Sequence, residues 1–405
     1  MSNSWKTTTI KDACEQMNGI WKGAKPPFTT AKILRTTNFS KDCKMKLDDL
    51  AIIEVEEKKL NARRLKRGDI IVEKSGGGPK QPVGRVILFD IDDEDFSFCN
   101  FTSTLRVKNQ SEILPEYLHK YLTFLYFEGE TEKYQSNLVG FRNLDFKGYV
   151  SMSFRYPELS EQQRIVSLLD AEFAKIDTLK ANAERNLQNA KDLFQAALKD
   201  VFLSIQKTKK LDDIVTIING FAFKSEDFKK DNPIKAIKIT NVGVGHFVET
   251  ADTNLPLAIW ESKPEFQVKE GDIIFALTRT IISDGLKVAI VPKSYDKALL
   301  NQRVAALSIN NSALRNYLFY YFQTPMVKQY VLAHVNTLMQ PNLSINDLRA
   351  MPIKIVDDGL MLGTVARLDA LNEKCKTLQS NYEKTIALCD NLKQALLRKA
   401  FNGEI

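Results

Sequence analysis

Leu65-Lys66-Arg67-Gly68-Asp69-Ile70-Ile71-Val72 returns 203 positions later as Val268-Lys269-Glu270-Gly271-Asp272-Ile273-Ile274-Phe275. Upstream, Thr37-Asn38 returns as Thr240-Asn241 at the same offset. Further along, the offset becomes 199. There Val166-x-x-Leu169-Asp170-Ala171 matches Val365-x-x-Leu368-Asp369-Ala370, and Gln195-Ala196-Ala197-Leu198-Lys199 matches Gln394-Ala395-Leu396-Leu397-Arg398. Two similar halves in one chain imply a pseudo-dimer with an approximate two-fold axis. Such symmetry suits a target with two half-sites, and duplex DNA is the commonest of these.

At 405 residues the chain exceeds one ordinary core, and about two to four domains are expected. Hydrophobic content of 44% and charged content of 26% are ordinary for a soluble globular protein. A net charge of +7 permits nucleic-acid binding without demanding it. The five cysteines are odd in number and widely spaced, with no CxxC pair, which fits a reduced cytoplasmic protein. No run of 18 apolar residues occurs, so no membrane partner is expected. The opening residues lack the apolar core of a signal peptide.

Four segments follow in order. Residues 1–158 read as mixed α/β, with short β-branched runs at Ile70-Ile71-Val72 and Val86-Ile87-Leu88-Phe89 and a helix over 115–127. Residues 159–205 carry no Gly or Pro between 160 and 204, and Ser160-Glu161-Gln162-Gln163 reads as a capping box. Apolar residues then recur at heptad spacing. One register is Val166, Phe173, Leu187, Phe194 and Val201, broken by Lys180. The other is Leu169, Ile176, Ala183, Ala190 and Ala197. About 45 residues of helix make a rod of roughly 65 Å. Residues 206–357 repeat the first globule in outline, with strands expected at 236–240, 272–276 and 288–291 and a helix at 314–322. Residues 358–405 form the second long helix, with a seam through Val365, Leu368, Leu371, Cys375, Leu378, Tyr382, Ile386, Cys389, Leu392 and Leu396. The expected fold class is α+β: two mixed α/β globules separated by two long helices that form an antiparallel coiled coil with pseudo-two-fold symmetry. The alternative is that each seam packs on its own globule or on another subunit.

The residues for chemistry are sparse. Three scattered histidines show no metal-ligand spacing. Gly76-Gly77-Gly78-Pro79-Lys80 resembles a phosphate loop only in composition. The acidic run 90–95 and the loose pattern of Asp49 with Glu56-Glu57-Lys58 could serve a nuclease. Neither is duplicated, and a solvated turn explains the first. No catalytic residue, metal site or bound cofactor is expected in this chain, which points to recognition or scaffolding.

The first long segment (160–204) holds six basic and seven acidic side chains and the second (359–402) seven and four. The remainder therefore carries a net +5. Basic and amide side chains gather near strand ends in the globules. Candidate DNA-binding residues are Lys74, Lys80, Gln81, Arg85, Arg142 and Asn143 in the first half. In the second they are Lys224, Lys238, Arg279, Lys287, Arg303, Gln340 and Asn342, with Asn301 and Gln302 beside them. Arg, Gln and Asn read base edges bidentately, whereas Lys and Thr suit phosphates. For any one of them a solvated surface charge is the more ordinary reading; only the clustering near equivalent loops of both halves lifts the functional one.

Two divergent globules alternate with two similar helical segments. The first boundary reads Tyr156-Pro157-Glu158-Leu159-Ser160-Glu161-Gln162-Gln163-Arg164-Ile165-Val166. Before the second come Met339-Gln340-Pro341-Asn342-Leu343-Ser344 and Leu348-x-x-Met351-Pro352-Ile353. In this order the motifs resemble the specificity subunit of type I restriction-modification systems over essentially the whole chain. The resemblance implies two target-recognition domains, two spacer helices and no catalysis by the subunit itself. It implies double-stranded DNA, two methyltransferase subunits and restriction subunits as partners. S-adenosylmethionine, ATP and magnesium would sit in those partners. The second boundary, Val356-Asp357-Asp358-Gly359-Leu360, departs from the Pro-x-x-Glu-Gln wording. The loops also differ between halves, as in 74–82 against 276–285, which implies an asymmetric bipartite target. The competing expectation is a coiled-coil adaptor without DNA specificity.

Overall fold

Gly68 and Gly271 both adopt a left-handed backbone, φ 90° and 88°, which costs a residue without Cβ nothing. The next carboxylate closes the turn. Asp69 and Asp272 each accept a hydrogen bond from the backbone N–H three residues before, Lys66 and Lys269, at 2.8 Å. The chain leaves these turns as strands Ile70–Glu73 and Ile273–Ala276. The computed structural model in which these turns are seen describes residues 5–21, 23–78, 81–93, 95–138, 141–250, 254–282, 285–335 and 342–405.

Each strand is an inner member of a four-stranded antiparallel sheet. In the first half the order is Cys14–Asn18, Thr102–Val107, Ile70–Glu73, Val86–Leu88. In the second it is Thr216–Asn219, Val304–Ser308, Ile273–Ala276, Val288–Ile290. The register repeats as well. Ile70 lies opposite Leu105 and Leu88, and Ile273 opposite Leu307 and Ile290. Because strand side chains alternate, both faces are covered. Ile70 and Val72 enter one apolar cluster with helix Pro115–Phe127, while Ile71 enters another. Ile273 and Phe275 likewise face helix Ser312–Phe322, and Ile274 turns away. Near the start of those helices, buried Tyr117 and Tyr317 donate to the carbonyls of Arg155 and Lys354 at 3.0 and 2.9 Å.

The halves differ around this frame. The first adds a sheet of Ala51–Glu56, Phe28–Leu34 and Phe96–Phe98. Among its described residues, the second has the pair Ala236–Ile237 beside Leu299–Leu300 at the corresponding place. A strand expected over 236–240 stops at Ile237 because Asn241 caps a 3-10 turn, Ile239–Asn241, by accepting from the Lys238 N–H at 2.8 Å. A local side-chain bond has displaced the ladder. Asn38 does the same for Arg35, also at 2.8 Å.

The two long helices run Leu159–Leu203 and Asp358–Asn402. The chain divides into two compact units, Met1–Ala183 with Lys384–Ile405, and Glu184–Glu383. Within the first unit the start of one helix (Ile165, Leu169) and the end of the other (Leu397, Ala400) share a core. Within the second, Phe194, Leu198 and Phe202 share a core with Met361, Val365 and Leu368. The helix segments are therefore antiparallel in each unit. Among the described residues, no helix is long and apolar enough to cross a membrane.

Several sequence expectations are corrected here. The first long helix starts at Leu159, so Ser160 lies inside its first turn and caps nothing as a capping box would. Gln162, fully buried, does the tying instead. Its amide donates to the carbonyls of Pro157 and Glu112 and accepts from the Leu114 N–H. Leu378 and Leu392 are exposed rather than in the seam, and buried Lys393 stands beside Leu392 on the inside. Lys180, the break in the heptad register, reaches Asp390 on the other helix at 2.7 Å.

Candidate nucleic-acid interface

The sheets end in loops that place the basic and amide residues. Arg85 and Lys287 occupy matching positions: the Arg85 carbonyl accepts from the Glu73 N–H at 2.9 Å and that of Lys287 from the Ala276 N–H at 3.1 Å. Their side chains have matching tasks. The Arg85 guanidinium reaches the Thr36 and Phe39 carbonyls at 3.5 and 2.7 Å and the Lys287 ammonium the Ile239 carbonyl at 2.6 Å. Both brace the 3-10 turns capped by Asn38 and Asn241. Arg85 is also buried against Glu73, with bonds of 2.8 and 2.6 Å. Burial opposes its charge, but the Glu73 carboxylate outweighs burial and raises its pKa. In Lys287 burial, then the Arg279 charge, lowers the pKa. These two side chains are committed to holding backbone. Arg85 is buried on its internal partners, where such a charge is spent, and Lys287 is half-buried on its own.

Other candidates gather near the ends of the inner strands. Lys74 donates to the Asn18 side chain at 2.9 Å and lies 5.7 Å over the Phe146 ring. Partial burial lowers its pKa. The Lys74 carbonyl accepts from the Leu144 N–H, and Ser75 pairs with Asn143. Arg142 is beside it, ion-paired with Glu132 at 3.2 Å. The second unit repeats this: the Leu277 carbonyl accepts from the Leu343 N–H, and Thr278 pairs with Asn342. Asn143 and Asn342 are thus equivalent, a match that the 199 offset contains. Gln81 is exposed at a bridge to Gly78. Arg279 and Arg303 are exposed, Arg279 on a left-handed backbone with φ 49°. Lys224 is exposed, 3.6 Å from Glu226, away from this group in sequence and in pairing. Lys238 lies 5.6 Å over the Phe228 ring. Lys80 and Gln340 fall outside the described residues.

The structure adds a pair of turns to this surface. Cys99-Asn100-Phe101-Thr102 and Asn301-Gln302-Arg303-Val304 are closed by bonds from Thr102 to Cys99 and from Val304 to Asn301, at 3.0 and 2.9 Å. Phe101 presents its carbonyl to the Lys74 N–H and Arg303 to the Leu277 N–H, at 2.8 and 2.9 Å. A glycine packs flat against each turn. A Cβ on Gly19 would lie 1.9 Å from the Cys99 oxygen, and one on Gly220 2.1 Å from the Asn301 oxygen. Sequence reading passed over Asn100 and Phe101. Their signal was the alignment of Asn100-Phe101 with Gln302-Arg303, 202 residues on.

Comparison with known proteins agrees with this duplicated plan. The model of the type I restriction modification DNA specificity domain matches residues 3–188 and again 206–394. The MjaVIII type I restriction enzyme specificity subunit of Methanocaldococcus jannaschii is 26% identical over 49% of this chain and 50% of its own length. The EcoKI specificity subunit of Escherichia coli K12 is 23% identical over 62% of this chain and 57% of its length. The matched stretches span about half the length of these curated relatives. In fold, the chain is similar to one solved in work on complex assembly and conformational transition of the type I R-M system. That likeness has a TM-score of 0.78 and 17% identity, over 99% of this chain and 98% of the other. The HsdS subunit of Thermoanaerobacter tengcongensis gives a TM-score of 0.57 at 18% identity, over 100% and 98%. With both globular halves and most of both long helices matched, the chain belongs to the family of type I restriction modification DNA specificity domains.

Proposed function

We propose that this chain is the DNA-recognition subunit of a type I restriction-modification complex and does no chemistry itself. Residues 1–158 and 206–357 each read one half of a bipartite, asymmetric duplex sequence. Residues 159–205 and 358–405 set the spacing and dock two methyltransferase subunits. Those partners supply S-adenosylmethionine, and restriction subunits supply ATP and magnesium chemistry. The working compartment is the cytoplasm, where the DNA is.

One observation carries this reading: two sheets share strand order and register, while the side chains on their loops differ. Identical frames with unlike tips suit two equivalent protein partners and two unlike DNA half-sites. Methylome sequencing of the host with the gene present and deleted tests it. The expected result is a split adenine-methylation motif that disappears with the gene. An unchanged methylome would refute the assignment. Duplex binding by the assembled complex should weaken steeply with salt as counterions are released; a salt-independent interaction would favour the adaptor.

A further inference from the structure

The two matched turns are built alike and tipped differently. Each is held by a closing backbone bond, by a bond from the loop after the inner strand, and by a glycine lying against it. Their central residues are Asn100-Phe101 and Gln302-Arg303. Phe101 is 51% exposed, although the strand that follows it, Thr102–Val107, is largely buried. Gln302 and Arg303 are exposed too, and neither side chain bonds to any described residue. A large ring left half in water on a rigid turn is not spent on the core, and neither is the exposed guanidinium on the matching turn.

We infer that this turn is the specificity-determining element of both units and that it reads the two half-sites with unlike chemistry. The inference rests on the DNA-recognition reading above. The first position is an amide in both turns, Asn100 and Gln302, which suits the N6 and N7 edge of adenine. The second position differs. Phe101 offers an apolar face to the C5-methyl of a thymine, and Arg303 offers a bidentate donor to O6 and N7 of a guanine. A rigid mount holds the reader in place, so each side chain governs one base pair rather than overall affinity.

The test uses the full chain in its host. Phe101→Ala and Arg303→Ala are each expected to relax one base pair, in opposite halves of the methylated motif. Discrimination there should fall about tenfold or more. Both sites are exposed, so melting temperatures should not move. Should Phe101→Ala melt early, Phe101→Arg decides: it copies the matched turn and is expected to change the preferred base at that one position. A wild-type chain that directs no split motif would sink the functional reading, and this inference with it. A split motif that survives unaltered in these variants, or methylation that weakens equally at every sequence, overturns the inference alone.

Discussion

Arg85 takes its structural task from its neighbours. Arginine near a strand end suits DNA, yet here it is buried between Glu73 and the turn that Asn38 caps. Removing one partner of such a pair leaves the other charge uncompensated, at a cost of about 3–5 kcal/mol. Arg85→Ala should therefore lower stability by that order in urea unfolding of the chain, whereas Arg303→Ala should leave it unchanged. Equal effects would contradict the assignment of Arg85 as a brace. The repeated aspartates give a second contrast. Asp69 is bonded twice by Arg106, at 2.7 Å each. Asp272 has Ser308 at the matching register instead, and burial raises its pKa despite bonds from Lys269 and Ser308. A buried carboxylate with a raised pKa ionises more readily in the unfolded chain. It therefore favours unfolding once pH exceeds the ordinary carboxylate range, about 4. Asp272→Asn should be neutral or stabilising at pH 7 and lose that advantage in acid, while Asp69→Asn should destabilise at pH 7. Parallel pH–stability curves for wild type and Asp272→Asn would refute this.

At the scale of elements, heptad spacing predicts the long helices well, and their ends less well. Leu169, Ile176, Ala183 and Ala190 are buried seven apart, as the pattern demands. Near Leu203 the helix instead buries Phe194, Leu198 and Phe202, four apart, because there it packs on the globule's helix Ser312–Phe322 as well as on the other long helix. A polar cluster sits inside the first unit's helix pair. Buried Lys393 bonds Asp177 and lies 3.4 Å from Asp42, and Lys44 also bonds Asp177. Burial works to raise the pKa of both carboxylates, but the Ser40 hydroxyl followed by the lysines at Asp42, and the lysines at Asp177, outweigh it and both are lowered. Their contribution is present above the ordinary carboxylate range and fades as pH falls through the lowered values. Both carboxylates are about a third exposed, so Lys393→Ala should cost only about 1 kcal/mol at pH 7. It should also flatten acid-induced loss of stability. An acid profile that keeps its wild-type slope would argue against this cluster as the source.

For the whole molecule, the duplicated frame makes modular change the natural experiment. Replacing residues 211–357 with the corresponding segment of a relative should change one half of the methylated motif and leave the other intact. A change in both halves would refute independent reading. Lengthening both long helices by one heptad should lengthen the spacer and leave both half-sites unchanged. A constant spacer would show that helix length does not set it. Both outcomes are read from methylome sequence alone.

Much of this was legible in the chain itself. Gly68-Asp69 and Gly271-Asp272 dictate the same turn because only glycine takes the left-handed backbone freely and the next carboxylate caps locally. Apolar periodicity fixed the two long helices, since burial of a seam depends on spacing within one element. Only tertiary structure decided which polar side chains are spent internally. Arg85 and Lys287 brace backbone, Lys180 pairs across helices, and Arg303 and Phe101 stand free on matched turns. The physical reason is that a charge or ring acquires its role from neighbours remote in sequence. The sequence therefore determined the frame and its repeat, while folding decided which residues are left for the partner.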